Sequence, residues 1–283
     1  MDNLIALVTG ASSGMGRETA LALKAKGVTV YAAARRPMPE LEDRGIHTLH
    51  LDVTDEDSIG AGVNAILNAE GRIDILVNNA GYGSYGTIED VPPAEARRQF
   101  DVNVFGAMRL TQLVLPQMID RGRGRIVNIS SMGGKFAMAL GGWYHATKYA
   151  LEALSDALRE EVGPFGVDVV LIEPGLIHTN WPVIAAKNLR ETSGLGKYAV
   201  IAQNFAAALD FAGQGLATDP AVLGRTIAHA ALAKRPRTRY RKGMGALPMT
   251  VLLPLIPDRI FDFGVNMFLT HADSLLSLVK KKN

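Results

Sequence analysis

The chain has 283 residues, enough for one large domain or two small ones. Hydrophobic residues make up 48 % and charged residues 20 %, which excludes a disordered chain, and a net charge of +2 gives no reason to expect nucleic acid as a partner. Cysteine is absent, which excludes disulfides and thiolate chemistry and fits a reducing compartment.

The opening "MDNLIALVTGASSGMG" has no basic leader and runs at once into a strand-like segment, so we expect no signal peptide and a cytoplasmic protein. Short apolar or β-branched runs then alternate with longer amphipathic stretches. Residues 4–8, 28–34, 47–51, 73–79, 124–130 and 167–173 read as buried strands. Helices are expected at about 15–26, 56–70, 93–120, 144–162 and 219–234, with Gly163 and Pro164 closing the fourth. That alternation implies an α/β, doubly wound (Rossmann) parallel sheet with helices on both faces. Neither an internal repeat nor a linker before residue 175 divides it. Residues 1–243 form one catalytic domain in this reading, with 180–218 as a lid over the substrate, followed by an apolar C-terminal extension over 244–283.

Two late stretches bear on membranes. "ALPMTVLLPLIP" (246–257) is broken by prolines and falls well short of the roughly 20 apolar residues a spanning helix needs. "KRPRTRYRKG" (234–243) concentrates positive charge just ahead of it, which would suit an anionic membrane surface. An edge strand with outward arginines, followed by a packed extension, is the preferred account.

Chemistry enters with "VTGASSGMG". It follows the first strand and opens the first helix, so Gly10, Gly14 and Gly16 stand where a pyrophosphate could approach helix N-terminal amides. Ser12, Ser13 and Met15 share that turn. The second strand ends "YAAARRP", with Arg35 and Arg36 where a carboxylate would otherwise hold a ribose 2′-hydroxyl. A guanidinium there can grip a 2′-phosphate, or it can simply be solvated. Farther on, Tyr144 and Lys148 lie one helical turn apart on a common face, so an ammonium about 4 Å from the phenol could stabilise phenolate by about 4 kcal/mol at an effective dielectric of 20.

The glycine spacing, "NNAG" (78–81), and Ser131 thirteen residues before the Tyr144–Lys148 pair together resemble the short-chain dehydrogenase/reductase family, over roughly residues 4–180. The resemblance implies a Rossmann fold and an NAD(P)-dependent oxidoreductase acting on CH–OH or C=O groups. It assigns Tyr144 as general acid/base, Ser131 to the substrate oxygen, Lys148 to the phenol and the nicotinamide ribose, and Asn103 to a water relay. It assigns Asp52 and the Val53 backbone to adenine, Asn79, Ala80 and Gly81 to the cofactor wall, and "PGLIHT", through Pro174, Gly175, Ile177 and Thr179, to the carboxamide. Asp52 could also cap the helix that follows, and Asn103 could be a polar break in a helix ladder. An arginine at position 35 goes with NADP(H) in the family, favouring it over NAD(H), although Ser13 stands where a second basic marker would be. No metal is required, and His145 and His178 are taken as incidental.

The substrate side is expected at 82–86, 132–143 and beyond Thr179. Tyr82, Phe136, Met138, Leu140, Trp143, Trp181 and Phe205 suggest an apolar pocket for a hydrophobic secondary alcohol or ketone, with about half of them packing the lid or a subunit contact instead. Phe136 and Trp181, beside Ser131 and Tyr144, are the substrate contacts chosen. The resemblance further implies a homodimer or homotetramer through the central and tyrosine-bearing helices. Two competitors remain: a non-catalytic NAD(P)-binding sensor or scaffold, and an epimerase or dehydratase, whose TGxxGxxG spacing this chain lacks.

Overall fold

The computed structural model describes residues 3–215 and 217–280. Residues 1, 2, 216 (in the anticipated lid) and 281–283 (ending the anticipated extension) lie outside the described residues. Among those described, seven strands form one parallel sheet in the order β3-β2-β1-β4-β5-β6-β7. They are β1 (Ile5–Thr9), β2 (Thr29–Ala34), β3 (His47–His50), β4 (Ile75–Asn78), β5 (Gly124–Ile129), β6 (Val167–Pro174) and β7 (Arg239–Lys242). The order reverses between β1 and β4, the place where doubly wound sheets open a crevice beyond their strand C-termini.

The inner strands β1, β2, β4 and β6 are apolar at most positions because both faces are covered. In β1, Ala6 and Val8 enter the layer beneath α1 (Gly14–Lys24) and α9 (Pro220–Leu232). Ile5 and Leu7 enter the opposite layer, beneath α3 (Glu56–Glu70), α5 (Gly106–Asp120) and α6 (Gly142–Val162). β3 departs from expectation: His47 and His50 are exposed, since this strand is an edge, and Tyr31 of β2 stacks on His47 at 4.7 Å.

The helix expected over 93–120 is α4 (Pro93–Phe100) and α5 joined by a π-helical turn, Asp101–Phe105. That turn carries Asn103 and fits the anticipated break in the ladder. The anticipated basic edge strand is β7, but its arginines are not all outward. Arg239 reaches Glu152 at 3.0 Å and Glu173 at 3.0 Å, and Arg241 reaches Glu173 at 2.7 Å. Glu173 is buried, and its carboxyl is pushed up by burial and by neighbouring Glu152, which makes cations the natural cover.

The irregular last third folds into helices. α7 (Trp181–Ser193) packs on α8 (Ala199–Gly215), and α11 (Asp258–Lys280) lies against α8. α10 (Ala246–Val251) and a 3-10 turn at Leu253–Leu255 account for the proline-broken stretch. Together they roof the C-terminal edge of the sheet around Tyr85, Tyr144, Leu189 and Phe205. Among the described residues, no helix is long and apolar enough to cross a membrane.

Candidate active site

The glycine turn is closed by backbone contacts that exclude larger residues. Gly10 has a φ of +63°, and a Cβ there would lie 2.8 Å from Ala80 Cα. A Cβ at Gly16 would fall 2.5 Å from the Gly10 carbonyl oxygen and against Asn79 Nδ2. Asn79 Nδ2 donates to Thr9 O at 2.9 Å, while Thr9 Oγ1 accepts from the Asn79 and Ala80 amides at 3.1 and 3.0 Å. Thr9, unnamed in the sequence reading, thus stitches the ends of β1 and β4 around the turn. The N-cap Ser13 makes no side-chain cap bond and the first turn of α1 holds no acidic residue, leaving its positive end open to an anion. This cradle, too tight for side chains and rich in amides, fits a dinucleotide pyrophosphate.

At the end of β2 the two arginines part. Arg36 Nη2 donates to Ser12 Oγ at 2.9 Å and to Ser13 Oγ at 3.4 Å, which holds the guanidinium across the glycine turn. Arg35, the one favoured from sequence, faces Asp52 at 3.8 Å and is largely exposed. Asp52 does not cap the next helix: its Oδ1 accepts from Thr54 N and Oγ1 at 2.9 and 2.8 Å, while Asp55 accepts from Ser58 N as the cap. These bonds and Arg35 hold the Asp52 carboxyl below its usual range against the opposing effect of burial. Val53 packs beside α5, where any Cβ on Gly106 would strike its carbonyl oxygen.

Beyond the crevice lies a cavity of about 590 Å³. Met15, Asn79, Gly81, Pro174, Gly175, Ile177 and Thr179 line it, beside Ser131, Tyr144 and Lys148. Thr179 has a structural duty as well, accepting from Trp181 N at 3.2 Å to start α7.

Tyr144, Lys148 and Asn103 are all buried. Ser131 neighbours the Tyr144 phenol on the cavity wall, and its hydroxyl accepts from Gly133 N at 3.0 Å. Lys148 Nζ sits 6.0 Å from the phenol ring centre and donates to Ile129 O at 2.9 Å. At that separation a unit charge is worth about 2.8 kcal/mol at an effective dielectric of 20. Burial outweighs any such pull: it pushes the phenol up to about 12, with Ser131 acting against it, and lowers Lys148 to about 8. The chain's own groups thus leave the phenol above its ordinary value rather than acidified. At neutral pH this is a protonated phenol beside an ammonium, a proton donor held in reserve.

Asn103 Nδ2 donates to Tyr82 O at 2.9 Å and Thr147 Oγ1 at 3.0 Å, and its Oδ1 accepts from Tyr82 N at 3.0 Å. It therefore clamps the loop after β4 onto the tyrosine helix. That helix is tied to the sheet in turn by Asn128 Nδ2 donating to Ser155 Oγ at 2.8 Å.

The rest of the lining is rich in aromatic residues. Phe136, Met138, Trp181, Phe205 and Tyr82 line the cavity, but Leu140 and Trp143 do not. Leu140 is buried beside Tyr85 in the roof, at a φ of 69°. Trp143 precedes Tyr144 by one residue, about 100° around the helix, so the two cannot share a face. Tyr82 turns its hydroxyl to Glu95 at 2.9 Å. The residue that sequence missed is Tyr85, buried 5.8 Å from Tyr144, 5.6 Å from Trp181 and 5.9 Å from Phe205, ring to ring. His145 lines the cavity as a neutral group, its Nδ1–H donating to Gly133 O at 2.8 Å while burial lowers its pKa. Among the described residues no cluster of metal-ligating side chains occurs.

Residues 4–188 match the family model described as short chain dehydrogenase. A 3-ketodihydrosphingosine reductase from Bacteroides thetaiotaomicron is 33 % identical, covering 95 % of this chain and 98 % of its own. An NADPH-dependent 3-dehydrocapnine reductase from Ornithobacterium rhinotracheale is 36 % identical, covering 91 % and 94 %. Among solved structures, a short-chain dehydrogenase from Streptomyces avermitilis superposes over the whole of both chains with a TM-score of 0.76 at 32 % identity.

Proposed function

The chain belongs to the short-chain dehydrogenase/reductase family of NAD(P)-dependent oxidoreductases, and from that premise we propose that it interconverts an apolar ketone and its secondary alcohol with NADP(H). The observation that carries this reading is the meeting of Ser131, Tyr144 and Lys148 in a mostly apolar cavity that reaches Met15 of the glycine turn. The dinucleotide, when bound, supplies or accepts the hydride. Gly10, Gly14 and Gly16 with the α1 amides would hold its pyrophosphate, and Asn79, Gly81, Lys148, Ile177 and Thr179 its nicotinamide half.

The side chains divide the remaining work. Ser131 donates to the substrate oxygen as charge develops there. Tyr144 gives its proton to that oxygen in reduction and removes it in oxidation. Lys148 stabilises the phenolate so formed, and Asn103 keeps the Tyr82 loop and Thr147 in register, with a water relay to Lys148 as its further role. Tyr85, Phe136, Trp181 and Phe205 exclude water and select apolar groups. The guanidinium of Arg36, gathered onto Ser12 and Ser13, supports a 2′-phosphate and hence NADP(H), with Arg35 and Asp52 flanking the adenine side. The names of two relatives, reductases of 3-ketodihydrosphingosine and 3-dehydrocapnine, support a keto substrate and, in one case, NADPH. Exposed Phe105, Tyr149 and Leu154 on the central and tyrosine-bearing helices support a homodimer or homotetramer.

The test is an absorbance assay with NADPH and with NADH against aliphatic, aromatic and steroid ketones. Turnover of apolar ketones with NADPH preferred is the expected result. Absence of turnover across the panel would overturn the reading.

A further inference from the structure

Several polar side chains that line the cavity are already engaged. Tyr82 gives its hydroxyl to Glu95, Thr179 accepts from Trp181 N, and Lys148 donates to Ile129 O. Tyr85 differs. It is only 5 % exposed, and the rings of Tyr144, Trp181 and Phe205 stand around it at 5.8, 5.6 and 5.9 Å. The loop before α6 presses on the same ring, since a Cβ on Gly141 would fall 2.7 Å from Tyr85 Cε1. Yet the Tyr85 hydroxyl makes no hydrogen bond to any described residue.

Packing alone would ask for phenylalanine here. Three aromatic neighbours favour the ring, whereas a buried hydroxyl left unpaired loses its hydration with nothing in exchange. The oxygen is not walled in, either. Trp143 Nε1 and Ser130 Oγ have neither partner nor accessible surface, a condition the Tyr85 hydroxyl does not share. The little surface that Tyr85 retains belongs to the cavity it lines. Burial and the neighbouring Tyr144 phenol push Tyr85 well above the usual phenol value, so at neutral pH it keeps its proton and stands as a donor.

We infer that the Tyr85 hydroxyl donates to a second oxygen of the substrate, beside the carbonyl that Ser131 and Tyr144 take. This rests on the reading of the cavity as the substrate pocket and narrows the substrate class. The molecule is a ketone with a further carbonyl or hydroxyl oxygen a few bonds from the reacting carbon, and it is apolar elsewhere. The adjacent rings of Tyr85 and Tyr144 set that spacing, while Trp181 and Phe205 offer only apolar faces beside it. A plain alkyl ketone leaves the Tyr85 hydroxyl unpaired in the complex, and an unpaired polar group in a site is what discriminates against a ligand lacking its partner.

The experiment is titration calorimetry of the full chain, loaded with oxidised cofactor, against hexyl acetoacetate and against methyl nonyl ketone. The second ligand matches the first in length and lacks the ester. Oxidised cofactor cannot reduce either ketone, so affinity is read without turnover. Wild type is expected to bind the keto ester more tightly, and Tyr85→Phe to shrink the ratio of the two affinities by about three- to tenfold. The same variant is expected to melt no lower than wild type, because it removes a hydroxyl that the fold does not use. An unchanged ratio overturns the inference, including the case in which both ligands weaken together, where Tyr85 serves only as a packed ring. A variant that melts clearly lower overturns it as well, since the hydroxyl would then have a partner in the fold. A wild-type chain that binds neither ligand does the same. The expected shift in ratio, found beside a failure of NADPH-driven turnover, would support this inference and count against the oxidoreductase reading alone.

Discussion

The two rims of the crevice are built from different materials. On the dinucleotide side the contacts are backbone and short polar groups fixed at strand ends: Thr9, the glycines, Asn79 and the open end of α1. On the substrate side they are large apolar side chains that α7, α8, α10 and α11 bring over the sheet from far along the chain. In the proposed reading the first rim recognises a group that does not vary, with no space left for error. The second offers volume and hydrophobicity, which set a class of substrate and leave room within it. Substitutions on the two rims should therefore differ in kind, all-or-none on one and graded on the other.

The largest effect is expected at Gly16→Val. Its Cβ would meet the Gly10 carbonyl, so NADPH binding measured by fluorescence titration should become undetectable while the thermal melt still shows a folded protein. Near-normal binding would break the claim that this rim is made of backbone. Next is Arg36→Asp, which should cut the preference for NADPH over NADH by about 10- to 100-fold in kcat/KM, from the loss of a charge-assisted contact worth about 1.5–3 kcal/mol. Arg35→Asp should change it less, because Arg35 is turned to Asp52. On the other rim, Trp181→Ala should raise KM for a bulky apolar ketone by about tenfold and leave NADPH affinity alone.

The smallest effect concerns Lys148. Burial lowers it from 10.5 to about 8, so between those values the unfolded chain holds more protons and stability rises with pH through that window. Lys148→Met should then melt higher than wild type at about pH 7, with the gap closing as pH passes from 8 toward 10.5. A gap that stays constant or widens would mean that Lys148 is not held against its own burial.

The same contrast explains what the sequence made visible. The strands of the sheet are covered on both sides, so Ile5 and Leu7 face one layer, Ala6 and Val8 the other, and the run stands out as continuous apolar residues. β3 is legible as a strand but not in its burial, because an edge strand shares this composition only in part. Tyr144 and Lys148 were legible because a single helix fixes their separation, and Ser131 because it leaves β5 at a sheet edge. The choice between Arg35 and Arg36 was not legible: neighbours in extended chain point opposite ways, and the outcome depends on β2 ending at Ala34. Tyr85 acquires its role only when α7 and α8 fold back over it, and no local pattern encodes that. Nor does any residue count reveal the state of Tyr144, because burial and a nearby cation act in opposite directions and only their relative size decides.

Everything rests on Tyr144 as the group that moves the proton. The direct test is Tyr144→Phe, assayed for NADPH-driven reduction of an apolar ketone and, in parallel, for NADPH affinity by titration. We predict that kcat falls by about 10²–10⁴-fold while NADPH binds within a few-fold of wild type. A variant that retains most of its turnover would contradict the account.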